Sequence, residues 1–405
     1  MSAASLQASE IKMLALVSDR SAASMVAGAH QFLATQSADT ASTSSTINIR
    51  SISQLNIMTN KEIQQLINQH QALVIAGVFG ESVERLLALT YSGNQTRLTL
   101  NTDRRLMALH QDINAGNAAN LPKQQLQSLM AALDKNDYLS ALSVKQQQWP
   151  AFAYWLQARA YWQNRGKENL EHLFTWLKNI TQANPNSAIL TTAPKILPLQ
   201  PIRFYWQEQL IGEADLVDNI TKNITKPVVF IVDHDTGDQP GQLQLHQQLC
   251  QRQWQCVSVL AGWGKPSEQA IEIIRNLKVT QPLAIIALQD FVIGGGEGRE
   301  PVTQKFQQLN VPVFKGIRVT EMSALEYQLS PTGLPSDSVH YRVAMPELQG
   351  VSQPHVLALA SSAKLDSLTG ASLSISEVLT KEVERLQARV SAWLALRTTE
   401  NAKKK

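Results

Sequence analysis

The feature that most constrains this chain is a set of short apolar runs that do not alternate. Pro227-Val-Val-Phe-Ile-Val232 is apolar without a break, and so are Ala72-Leu-Val-Ile-Ala76 and Pro282-Leu-Ala-Ile-Ile-Ala287. A strand with one wet face alternates apolar and polar residues. One that reads apolar throughout is covered on both faces, as in a parallel sheet layered by helices. Helical segments at residues 242–253 and 266–277, with a strand at residues 256–260 between them, follow the first run, and Val311-Pro-Val-Phe314 reads as a further strand. Strands alternating with helices predict an α/β architecture. The 405 residues, 44% hydrophobic and 17% charged, suffice for a sizeable core in two or three domains.

Three parts are expected. Residues 1–101 read as an N-terminal α/β lobe. Met13-Leu-Ala-Leu-Val17 is a strand, Ser18 or Asp19 caps a helix, residues 35–46 form a Ser/Thr-rich loop, and residues 47–52 are a second strand. Thr59 and Glu62 have the spacing of a capping box. Ala72 to Ala76 is the third strand, and Gly77 to Gly80 turn into another helix. Residues 102–225 read as a mainly helical, aromatic-rich segment holding five of the eight Trp: Trp149, Trp155, Trp162, Trp176 and Trp206. Tyr154, Trp155, Tyr161 and Trp162 recur at helical spacing, the pattern of an aromatic helix–helix core, with a surface for stacking a planar ring as the alternative. Pro185, Pro194, Pro198 and Pro201 mark a connecting segment. Residues 226–405 read as a second α/β domain, closed by a long amphipathic helix over residues 376–397. The expected fold is two doubly wound parallel-sheet lobes, Rossmann- or flavodoxin-like, with an intervening helical segment and a long C-terminal helix.

Several classes are excluded. The net charge is +3, and Lys403, Lys404 and Lys405 alone supply three positive charges, so no basic field argues for nucleic acid. No apolar run approaches the ~20 residues of a membrane helix, and residues 1–10 show no secretory signal; a cytoplasmic protein is expected. Cys250 and Cys256 are the only cysteines, which excludes a disulfide scaffold or a Cys-rich metal site. They read as two buried, reduced thiols.

Two strings stand where open α/β sheets place ligands, after strand ends. Asp233-His234-Asp235-Thr-Gly-Asp238 follows the strand ending at Val232. Its carboxylates and imidazole suit a divalent cation or proton transfer; the plainer reading is a strand-to-helix turn with a solvated His. Gly294, Gly295, Gly296, Glu297, Gly298 and Arg299 follow the strand ending near Leu288. Glycines let backbone amides approach an anion, and Arg299 could hold a carboxylate in a fork; a flexible turn is the alternative. Gly262-Trp-Gly-Lys265 lacks the first Gly and the Ser/Thr of a phosphate loop, so the chain has no ATP-hydrolysing motif of its own. Residues 329–347 are turn-rich and then strand-like; His340, Tyr341 and Glu347 are candidates to line a cleft, or serve structure alone.

Four stretches together carry a family resemblance. They are Tyr161-Trp-Gln-Asn-Arg-Gly-Lys-Glu-Asn-Leu170, Gly294-Gly-Gly-Glu-Gly-Arg299, Ser330-Pro-Thr-Gly-Leu334 with Val343-Ala-Met-Pro-Glu-Leu348, and Asp366-Ser-Leu-Thr-Gly370. In order and spacing, from Tyr161 to Trp393, the sequence resembles the large subunit of cobaltochelatase (the CobN type) and, more distantly, of magnesium chelatase. The resemblance implies insertion of a divalent metal substrate into a tetrapyrrole: cobalt into a corrinoid precursor in cobalamin biosynthesis, with magnesium as the alternative. It implies AAA+ ATPase partner subunits that use the ATP, none being bound here. Under it, Gly294 to Arg299 with His340, Tyr341 and Glu347 are tetrapyrrole- or anion-binding candidates, and Asp233, His234, Asp235 and Asp238 are metal candidates. The family has an Arg-Ser-His-like stretch where this chain has Asp233-His234-Asp235. Family members continue beyond the closing helix, so the chain resembles an N-terminal portion, expected to need the remaining large-subunit domains for catalysis. A tetrapyrrole or metal binding and delivery protein of the same descent is the alternative.

Overall fold

The computed structural model describes residues 10–38, 44–111, 150–182, 193–198, 200–207, 209–223, 226–235, 242–251, 253–277, 279, 283–361, 364–373 and 376–403. Contacts divide the chain into two units, Met1–Leu199 with Lys364–Leu373, and Gln200–Ala363 with Ser374–Lys405.

The first unit runs β1 (Ile11–Val17), α1 (Asp19–Ala38), β2 (Ser45–Ser51), α2 (Ile52–Ile57), α3 (Asn60–Asn68), β3 (Ala72–Ala76), α4 (Ser82–Leu87), β4 (Thr96–Leu100), α5 (Pro150–Asn164) and α6 (Gly166–Gln182). Its sheet has the order β2-β1-β3-β4, parallel throughout. The unbroken apolar runs follow from cover on both faces. Met13, Ala15, Val17 and Val74 join one core with α1, α5 and α6, while Leu14, Leu16, Leu73 and Ile75 join another with Ile63, Ile67 and Leu86. The capping box is present: Thr59 Oγ1 accepts from the Glu62 amide at 3.3 Å, and Glu62 accepts from the Thr59 amide at 2.7 Å.

Tyr154, Trp155, Tyr161 and Trp162 are all buried in the first core, as are Trp176 and Phe174. Trp155 Nε1 donates to the Thr99 carbonyl at 2.7 Å and Trp176 Nε1 to that of Tyr154 at 3.1 Å, so the indoles find internal partners, as buried indoles should. These aromatics are core; they offer no surface for ring stacking. A return segment, β12 (Lys364–Leu365) and β13 (Ser372–Leu373), completes the unit. Arg50 donates to the Thr369 carbonyl at 3.2 Å and the Gly370 carbonyl at 2.8 Å, and His30 pairs with Asp366 at 3.0 Å.

The second unit begins with β5 (Ile202–Trp206), β6 (Gln209–Ile211) and α7 (Glu213–Asn223). Then come β7 (Val228–His234), α8 (Gln242–Leu249), β8 (Gln255–Ala261), α9 (Lys265–Asn276), β9 (Leu283–Ala287), α10 (Gly295–Leu309) and β10 (Val313–Ser323). Short helices α11 (Ala324–Leu329), α12 (Ser336–Val339) and α13 (Met345–Leu348) precede β11 (Val351–Ala360), β14 (Ser376–Val378) and α14 (Thr380–Lys403). The eight-stranded sheet has the order β14-β11-β10-β9-β7-β8-β5-β6. Its five central strands, β11-β10-β9-β7-β8, are parallel, and β5, β6 and β14 add antiparallel edges. This is the flavodoxin-like winding, with the chain reversing direction across the sheet between β7 and β9. Val228, Phe230 and Val232 face one core; Val229 and Ile231 face the other, with α8 and α14.

Some local expectations change. Residues 340–344 are a π-helical turn between α12 and α13, not a strand, because buried Arg342 and Ser338 hold that segment helical. Trp206 lies in β5, not in a helix. The closing helix starts at Thr380, since Ser376–Val378 pairs with β11. Cys250 and Cys256 are half-buried and joined in a disulfide, not buried reduced thiols; the end of α8 and the start of β8 bring their Cα atoms to 6.0 Å, within bridging range. Among the described residues no helix is long and apolar enough to cross a membrane.

Helices α1 and α6 pack through Gly28, where an added Cβ would lie 2.4 Å from Leu170 Cβ and 2.9 Å from its carbonyl carbon. Backbone leaves no room to yield. Gly28→Ala is expected to lower the unfolding free energy by about 1–3 kcal/mol, read by urea denaturation; an unchanged midpoint would disprove the contact.

Candidate functional site

The carboxyl ends of β7 and β9 flank the reversal point of the second sheet, where doubly wound folds open a crevice. Asp233, at the end of β7, is fully buried. Its Oδ1 accepts from Arg318 at 2.6 Å and from the His234 amide at 2.7 Å, and its Oδ2 faces His246 Nε2 at 3.1 Å. Asp235, also buried, receives a two-pronged guanidinium: Arg203 Nε at 2.8 Å and Nη2 at 2.7 Å. Both acids are therefore compensated in place, as buried charges must be.

A second row lies behind them. Lys315 of β10 is buried and donates to the Gln289 carbonyl. Burial pushes its ammonium down from the ordinary 10.5 to about 8, against the pull of Asp290 and Asp233. Arg342 donates to Asp290 at 3.3 Å. Gln289 is 3% exposed; its Nε2 reaches toward the Asp233 carbonyl at 3.5 Å, and its Oε1 is buried with no hydrogen-bond partner. A buried acceptor left open at a crevice is suited to a ligand or water donor.

The glycine string forms the turn from β9 into α10. Gly294 and Gly295 have φ of 87° and 70°, and Gly294 caps the helix. The chain itself uses the first amides: Ile293 N–H donates to Gln349 Oε1 at 2.9 Å and Gly294 N–H to Ser267 Oγ at 2.8 Å. Gln349 Nε2 in turn donates to the Ile293 carbonyl at 2.7 Å. The turn is thus fixed, with Gly296 and Arg299 exposed. An added Cβ on Gly295 would lie 3.3 Å from the ring of Trp263, so the β8–α9 turn abuts the glycine turn with a 59% exposed indole.

The segment from α12 to α13 packs onto the same turn. Phe291 meets Tyr341 edge to face at 5.8 Å, and His340 meets Tyr341 at 5.3 Å. His340, Tyr341 and Glu347 are exposed. Gly294 to Arg299 are thereby brought together with His340 and Tyr341, through Phe291 and Gln349. Asp233 and Asp235 stand at the neighbouring strand end, with His234 half-buried between them. Asp238 and the side chain of Glu297 lie outside the described residues. Among the described residues no three His, Cys, Asp or Glu side chains group as a metal-ion site.

Trp263, Phe291, Gln289 and the partners Arg203, Lys315 and Arg318 escaped sequence reasoning. One signal was present: Lys315 and Arg318 interrupt a buried strand, and charges there require partners.

Two consequences are measurable. Arg203→Ala strands the Asp235 charge and is expected to cost about 3–5 kcal/mol of stability, much of it restored by the double change Arg203→Met with Asp235→Leu. Unfolded chain holds the Lys315 proton to about pH 10.5 and folded chain only to about 8, so the folded form gains as pH climbs through that window. The stability advantage of Lys315→Met over the native chain should therefore shrink between pH 8 and 10.5 in urea titrations; a constant difference would contradict the burial of that charge.

No curated protein matches the chain. The family profile described as CobN/Magnesium Chelatase matches residues 159–405, more than half of the sequence and the whole of the second unit. The chain belongs to the CobN/magnesium chelatase family, whose members are metal-chelatase subunits acting on tetrapyrroles.

Proposed function

We propose that this chain is the N-terminal region of the tetrapyrrole-binding large subunit of a cobaltochelatase. The reaction is insertion of cobalt into a corrinoid precursor of cobalamin, driven by ATP that AAA+ partner subunits hydrolyse in the cytoplasm. One observation carries the reading: the glycine turn and the segment spanning Ser330 to Leu348 meet on one face of the second unit, beside exposed Trp263 and Tyr341. Flat indole and phenol faces suit a macrocycle, and exposed Arg299 suits its carboxylate side chains.

The chemistry sets two tasks. A hydrated divalent ion sheds water reluctantly, and two pyrrole N–H protons must leave the ring. Exchangeable carboxylates and imidazoles serve both. His340 is exposed on the aromatic face and can take a ring proton there. Asp233, His234, Asp235 and Asp238 are the candidate metal set; Asp233 and Asp235 would each exchange a guanidinium for the ion. Catalytic turnover is assigned to the assembly with the remaining large-subunit domains and the ATPase.

Absorbance titration of the chain with a metal-free corrinoid and with a porphyrin tests the reading. A visible-band shift with the corrinoid is expected; silence with both macrocycles overturns it. Arg299→Ala should weaken corrinoid binding about five- to tenfold, the worth of about 1–1.4 kcal/mol for one charge-assisted hydrogen bond.

A further inference from the structure

Away from the crevice, a cavity of about 330 Å³ lies between α8 and strands β8 and β5. Tyr205 and Ser258, paired across β5 and β8, form its floor side; His246, Cys250, Trp254 and Cys256 also line it. The only two cysteines of the chain therefore meet at this cavity, bonded to each other and half-exposed. Cross-links reachable by solvent thiols are the labile kind, whereas inert ones are shielded.

A buried imidazole lies beside them. His246 is 1% exposed, one helical turn before Cys250, whose amide donates to the His246 carbonyl at 3.2 Å. Its Nε2 is held by the buried Asp233 carboxylate, and its Nδ1 is buried with no hydrogen-bond partner.

We propose that Cys250 and Cys256 are a reversible thiol–disulfide exchange site, which a small thiol reaches through this cavity. A thiolate attacks one cysteine sulfur; the S–S bond breaks, a mixed disulfide forms, and the other cysteine leaves as thiolate. That thiolate takes a proton from solvent. A second thiolate then attacks the mixed disulfide, releasing the oxidised thiol as its dimer and the second cysteine. Two electrons pass from two small thiols to the Cys250–Cys256 bond. Reduction unties the loop that carries Trp254, which is packed with Leu245 and Leu249. The site stands on this cavity alone and does not depend on the chelatase reading.

The test uses the full chain with glutathione as the probe. Expected are no reactive thiols before treatment and two afterwards, with the fold intact by circular dichroism and a change in Trp254 emission that Trp254→Phe abolishes. Cys256→Ser, whose Cys250 is a free thiol, should take one glutathione from oxidised glutathione, releasing one reduced glutathione, seen by mass. Thiols that appear only once the chain unfolds would overturn the proposal, as would two free thiols that oxidised glutathione fails to join.

Discussion

A carboxylate that water does not reach organises the second unit. Asp233 binds a strand to a strand through Arg318, and a strand to a helix through His246. Two residues on, Asp235 draws in Arg203 from β5, which runs antiparallel to its neighbour β8. Relative to apolar packing such pairs add little net stability, yet leaving one member unpaired is severe. Their value here is registration. Sliding β10 by one residue would move Arg318 to the other face and expose nothing but cost, so the ion pairs exclude pairings that oily side chains alone would tolerate.

The same arrangement explains why the crevice is polar without being open. Buried Lys315 and Arg342, with half-buried Asp290, form a further set behind the strand ends, and Gln349 and Ser267 occupy the amides that begin the glycine turn. The backbone there is held before any ligand arrives. What faces outward is a short list of side chains, aromatic on two turns and cationic at Arg299. Binding energy on such a surface need not be spent on ordering the loop.

Local features of this architecture are legible in the primary structure, and long-range ones are not. Apolar runs such as Ala72 to Ala76 announce cover on both faces, and Thr59 with Glu62 announces a helix start, because each signal lies within a few residues. Gly294 announces the turn into a helix for the same reason, whereas Gly295 to Arg299 are already helical. Val339 to Val343 look strand-like, yet buried Arg342 turns them helical from a distance of 52 residues, by reaching Asp290. Arg318 and Asp233 are 85 residues apart, and no pattern in either neighbourhood names the other. The Cys250–Cys256 bond hides in another way. Its members are near in sequence, but only the turn from a helix end into a strand start makes them near in space.

The return of residues Lys364–Leu373 to the first unit has a consequence for how the chain comes into being. Ala371 is a core residue of that unit, and the Arg50 guanidinium is capped by carbonyls of Thr369 and Gly370. A ribosome must therefore deliver most of the polypeptide before the earliest-made lobe can be finished. No single cut in the gene yields that lobe whole.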